Sequence, residues 1–92
     1  MRIIIASEWR RVSGRRIPGL LADGPILITS NGKPLYEAHS PGGFARQTMT
    51  LGQWKSLAGW DTIPALEQGP VLITRGERPL YEARLPKRAS VA

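Results

Sequence analysis

Residues Gly24 to Pro41 read GPILITSNGKPLYEAHSP, and residues Gly69 to Pro86 read GPVLITRGERPLYEARLP. Eleven of the eighteen positions are identical at an offset of 45, and Ile26/Val71 and Lys33/Arg78 differ only conservatively. A fixed-period match of this length reads as a duplicated structural unit. Each stretch has the form of a β-hairpin: a short apolar run, Ile26 to Thr29 in the first, then a turn, then Pro34-Leu35-Tyr36-Glu37-Ala38 with strand-like composition. Asn31-Gly32 suits a type I′ turn, and Gly76-Glu77, with glycine first, suits type II′. Pro34 and Pro79 lack a backbone donor and mark a strand start or an edge.

Working outward, Arg2 to Ala6 carries three successive isoleucines, a short buried strand. Ser7 stands where an N-cap would, with Glu8 in the first turn, so Ser7 to Val12 reads as a short helix ended by Ser13-Gly14. Pro18 sits at a permitted first-turn position of a second helix running through Leu20, Leu21 and Ala22. The second half follows the same plan. Thr48 to Leu51 replaces the isoleucine strand, Trp54 lies 45 residues after Trp9, and Ile63-Pro64 follows Ile17-Pro18 at 46, which implies one residue gained near Thr62 and one lost before Gly69. The expected organisation is a first unit at 1–41, a linker at 42–47, a second unit at 48–86 and a basic tail at 87–92.

Two units of about 45 residues are each too small to fold alone without a metal or disulfides. The chain has no cysteine, which excludes disulfides and thiolate metal sites and fits a reducing compartment. The expected fold class is therefore α+β: two β-α-α-β-β repeats sharing one core as a single-chain pseudo-dimer, with a shared antiparallel sheet and short helices on one face. No apolar run approaches the ~20 residues of a membrane span, and the first residues do not form a signal peptide, so a cytoplasmic location is expected.

The net charge is +6, with 13 Lys/Arg against 7 Asp/Glu. Such a balance in a small domain points to an anionic partner, most often nucleic acid. Residues 1–46 hold seven basic and three acidic side chains, and residues 47–92 hold six and four. Arg10, Arg11, Arg15 and Arg16 cluster on and after the first helix, Arg2 precedes its strand, and the second half offers Lys55 at the matching place; these six are the candidate nucleic-acid contacts. Trp9 and Trp54 read as core or pseudo-dimer interface residues, and Tyr36 and Tyr81 as sheet residues with the hydroxyl at the rim. Trp60 and the lone Phe44 are the candidate protein contacts. His39, the only histidine, reads as a surface residue. No metal-ligand spacing, phosphate loop or nucleophile–base set is visible, so neither an enzyme nor a cofactor is expected.

A strand, a helix opening Ser7-Glu8-Trp9-Arg10, a second helix, then Gly24-Pro25-Ile26-Leu27-Ile28-Thr29-Ser30-Asn31-Gly32-Lys33-Pro34 together resemble the prevent-host-death (Phd/YefM) antitoxin family. The second half matches at Gly69 to Thr74 and at Arg78-Pro79, and more loosely around Gln53-Trp54-Lys55. The resemblance implies an α+β domain that works as a homodimer, binds operator DNA through its N-terminal helix region and represses its own operon. It also implies a toxin-wrapping segment beyond the last strand. The expectation here is two units in one chain, without a long toxin-neutralising tail. The expectation is a small DNA-binding, antitoxin-like transcriptional regulator; the alternative is a phage- or plasmid-encoded inhibitor using the fold to bind a protein, such as a host defence complex. Gly14-Arg15-Arg16-Ile17-Pro18 also resembles, more weakly, the G-R-x-x-I-P of swapped-hairpin DNA-binding proteins.

Overall fold

Runs of β-branched and apolar residues bounded by turn residues set the strands. The computed structural model describes residues 2–43, 45–57 and 61–86. The candidate protein contacts Phe44 and Trp60, and the tail 87–92, lie outside the described residues.

In chain order the elements are β1 (Arg2–Ile5), α1 (Ala6–Trp9), α2 (Ile17–Leu21), β2 (Ile26–Ser30) and β3 (Lys33–His39). Then come β4 (Gln47–Thr50), α3 (Leu51–Ser56), α4 (Thr62–Leu66), β5 (Val71–Arg75) and β6 (Arg78–Arg84). Every element from β4 onward begins 45 residues after its counterpart in the first five. The insertion expected near Thr62 is therefore absent from the element spacing: Thr62, not Ile63, stands where Ile17 stands, and both are buried. The shared Ile-Pro dipeptide is a misleading anchor because burial, which requires residues four apart on one helix face, selects Ile17/Leu21 and Thr62/Leu66.

The result is a compact α+β fold with one mixed six-stranded sheet, in the order β1-β2-β3-β6-β5-β4. The sheet is not wholly antiparallel as expected. β1 pairs β2 in parallel, and β4 pairs β5 in parallel. The reason is the helix pair between them: a helical crossover carries the chain back so that the second strand runs in the same direction. The hairpins β2–β3 and β5–β6 are antiparallel, and β3 meets β6 antiparallel at the centre through Glu37–Arg84, Ala38–Ala83 and His39–Glu82. β4 starts at Gln47, one residue inside the expected linker.

Both hairpin turns place their two central residues at positive φ, Asn31 at 52° and Gly32 at 79° in the first, Gly76 at 52° and Glu77 at 65° in the second. The second turn is thus type I′-like rather than II′, since II′ needs a negative φ at its second position. Glu77 bears the left-handed conformation at a cost of roughly 1 kcal/mol.

Each hairpin also carries a register shift, at Ile28/Thr29 and at Ile73/Thr74, where Leu35 and Leu80 are the extra residues. A bulge places two successive residues on nearly the same side. Leu35 with Tyr36, and Leu80 with Tyr81, are all buried as a result. One face of the sheet joins the buried residues of all four helices in a single core: Trp9, Ile17, Leu21, Trp54 and Leu66 over Ile26, Ile28, Val71 and Ile73.

Helices of four to six residues have little stability of their own and depend on this packing. The two first helices differ in capping. Thr50 caps α3 in a capping box, its Oγ1 accepting from the Gln53 amide at 3.1 Å and Gln53 Oε1 accepting from the Thr50 amide at 3.0 Å. Ser7 does not cap α1; the N-cap is Ile5, which has no side-chain hydrogen bond and is 51% exposed. Glu8 already occupies the third helical position, so Ile5→Thr completes a Thr-x-x-Glu box. We expect Ile5→Thr to raise stability by about 0.5–1 kcal/mol in thermal unfolding.

Candidate nucleic-acid interface

α1 leaves the sheet immediately after β1, and the Arg10 amide bonds back to the Ala6 carbonyl at 3.0 Å, which fixes Arg10 at the helix C-cap. From there the chain continues as an ordered turn region: the Arg11 amide donates to Glu8, Val12 to Trp9 and Arg16 to Ser13, each within 3.1 Å. Arg11, Arg15 and Arg16 project from this frame and are exposed. On the other side, Lys55 occupies the last turn of α3. The two sides meet: Arg10 Nη2 donates to the Lys55 carbonyl at 2.9 Å.

Five of the six sequence-derived candidates are thus gathered on and between the helices. Arg2 is not. It is exposed on edge strand β1, opposite Ile26 and at the far end of the strand from α1. Sequence reading misses Arg75. Its Cδ lies only 2.8 Å from where a Cβ on Gly14 would stand, so its stem crosses the backbone beside Arg15, and a side chain at Gly14 would push the arginine aside. Nothing in the hairpin sequence signals this, because Ser30 stands 45 residues earlier and the proximity arises from β5 ending under the α1–α2 connection. No ion pair among the described residues involves Arg10, Arg11, Arg15, Arg16, Lys55 or Arg75.

Beneath the helices, two aromatic pairs hold them to the sheet. Trp9 meets Tyr81 edge to face with centroids 5.5 Å apart, and Trp54 meets Tyr36 at 5.3 Å. Each tryptophan therefore packs on the tyrosine of the other hairpin, across the β3–β6 centre line. The Trp54 indole N–H donates to the Tyr36 hydroxyl at 3.3 Å. The tyrosine hydroxyls sit in the interior, not at the rim, because the bulges turn both rings toward the core. Burial pushes both phenols above their ordinary value of 10, partly offset by hydrogen bonds from the tryptophans, and pushes Tyr81 furthest. Both remain neutral O–H groups at physiological pH.

The opposite face of the sheet carries charge in the interior. Glu82 is 1% exposed; its Oε2 accepts from the amides of Gly42 and Gly43 at 2.7 and 2.9 Å, and its Oε1 accepts from Arg84 at 3.0 Å. Glu37 is also buried and pairs with His39 at 2.8 Å, so His39 is a partly buried partner of a carboxylate rather than a free surface residue. Burial alone would raise the Glu82 carboxyl, but hydrogen bonds from Gly42, Arg84 and Gly43, with the charge of Arg84, outweigh it and hold Glu82 below its ordinary value.

Among the described residues, no group of three His, Asp or Glu side chains is placed to hold a metal ion, and no helix is long and apolar enough to cross a membrane. Comparison with protein-family models, with curated proteins and with solved structures finds no match.

Proposed function

We propose that this chain is a small cytoplasmic DNA-binding regulator of the antitoxin-like type, built as a tandem β-α-α-β-β duplication that makes a pseudo-dimer within one chain. The duplication is supported by the offset of 45 shared by every element and by the strand order, which reads the same from either edge. One observation carries the function. α1 and α3 come together at Arg10 and Lys55, flanked by exposed Arg11, Arg15, Arg16 and Arg75, and no ion pair among the described residues neutralises any of these charges. Cations without an ion pair among the described residues suit a row of phosphates, and the ordered turns between α1 and α2 hold the backbone that carries Arg11, Arg15 and Arg16.

Arg10→Ala/Arg11→Ala is expected to weaken DNA binding by roughly tenfold or more, and to lower the log–log salt slope by about 0.9 for each phosphate that is no longer neutralised. Unchanged affinity in fluorescence anisotropy would remove these residues from the interface.

A second reading rests on the asymmetry of the face. Asp61 is exposed at the start of α4, where Arg16 begins α2, so the two sides cannot offer the same contacts to a symmetric duplex. That difference favours an inhibitor that lays the arginine side against an acidic protein surface, such as the nucleic-acid site of a host complex. Recovery of one protein from host lysate after nuclease treatment, with no duplex bound by the pure chain, would select this reading.

A further inference from the structure

A cavity of about 230 Å³ lies between the helices and the sheet, at the junction of the two halves. Its walls are the rings of Trp9, Tyr36, Trp54 and Tyr81, and its lining includes Arg10 and Lys55. Among the described residues, no Asp or Glu lines it. We propose that this cavity is a binding site for a small planar aromatic carboxylate, with the ring between the indole and phenol groups and the carboxylate against Arg10 and Lys55.

Three features argue for this class of ligand. The first is size: an apolar cavity of about 150 Å³ admits benzene, so the larger space here admits one ring with a carboxylate attached. The second is charge. Every ionisable group on the described wall that is charged at neutral pH is a cation, and the buried phenols are O–H groups that donate rather than compete as anions. Arg10 donates one N–H to the Lys55 carbonyl, and a guanidinium has five donors, so the planar fork can still engage a carboxylate. The third is shape. Two edge-to-face pairs, at interplanar angles of 77° and 81°, line the same space, and aromatic walls suit a flat π-system better than a branched aliphatic one. This site goes beyond the DNA reading in its ligand but shares Arg10 and Lys55 with the proposed DNA face; benzoate binding is measured without DNA, so its failure leaves the DNA reading standing.

The test uses the full chain carrying Trp60→Phe, so that the remaining tryptophan fluorescence comes from the two that line the cavity. Benzoate and its neutral isostere benzamide are titrated in parallel. Benzoate is expected to quench saturably and to bind at least tenfold more tightly than benzamide. Arg10→Met/Lys55→Met should weaken benzoate by tenfold or more while leaving the circular dichroism spectrum unchanged, and Ala6→Leu, which adds bulk to the wall, should weaken both compounds. No saturable quenching by benzoate up to about 10 mM would overturn the proposal. So would equal affinity for the two compounds, or undiminished benzoate binding in the Arg10→Met/Lys55→Met variant.

Discussion

Trp54→Ala is expected to lower the stability of this protein by about 3–5 kcal/mol. The side chain is 3% exposed, stands edge-on to Tyr36 at 5.3 Å and donates to its hydroxyl. Truncation removes the indole volume, the aromatic pairing and the hydrogen bond together, and enlarges the cavity that Trp54 already lines. A domain of 92 residues has a total stability of about 5–14 kcal/mol, so this single change removes a large share. Each kcal/mol of destabilisation lowers Tm by about 4–8 °C at this size. Trp54→Phe keeps the edge-to-face packing but has no N–H to donate, and should cost only about 1 kcal/mol through that bond. Urea titrations of the two variants check the ranking; near-equal destabilisation would mean that the indole N–H, not ring packing, holds α3 to the sheet.

Glu82→Gln should cost on the order of 3 kcal/mol, through a different cause. The carboxylate is held by two successive amides, Gly42 and Gly43, and by Arg84, an arrangement that suits an anion. The amide keeps one acceptor oxygen but sets an NH₂ against a donor and leaves Arg84 without this counter-charge. Because the folded-state value of Glu82 is depressed, its contribution is fully present above the ordinary value of 4.5 and is lost as pH falls through the lower folded value. Stability of the parent chain should therefore fall on acidification below about 4.5, and the fall should be shallower in Glu82→Gln. Chemical denaturation across pH 3 to 7 measures both slopes, and parallel curves would contradict the assignment.

The hairpins and the isoleucine strand are legible in the sequence because their signals are local: Asn31-Gly32 specifies its own turn, and Ile3-Ile4-Ile5 is a β-branched run. The direction of β1 relative to β2 is less legible, since it depends on how a helix pair packs back on the sheet. Glu37 and Glu82 look like ordinary exposed strand residues in sequence. For Glu82, the segment after β3 folds across the sheet and places the Gly42 and Gly43 amides on the carboxylate, about 40 residues away along the chain. The arginine cluster that follows α1 is visible as composition, whereas Arg75 joins it only through the close approach at Gly14. Sequence proximity groups Arg2 with the cluster, yet β1 holds it at the strand's other end.

Under the proposed function, one chain acting as its own dimer reads DNA with the face formed by α1, α3 and the turns beside them. The most direct test is binding of the purified chain to its own upstream duplex and to a scrambled duplex over a salt series. The expected result is one chain per site and a preference for the upstream duplex that persists at about 150 mM salt. The log–log slope should lie near −4 to −5, as about five cations each neutralise a phosphate. Equal binding to both duplexes, with release by about 150 mM salt, would contradict the claim.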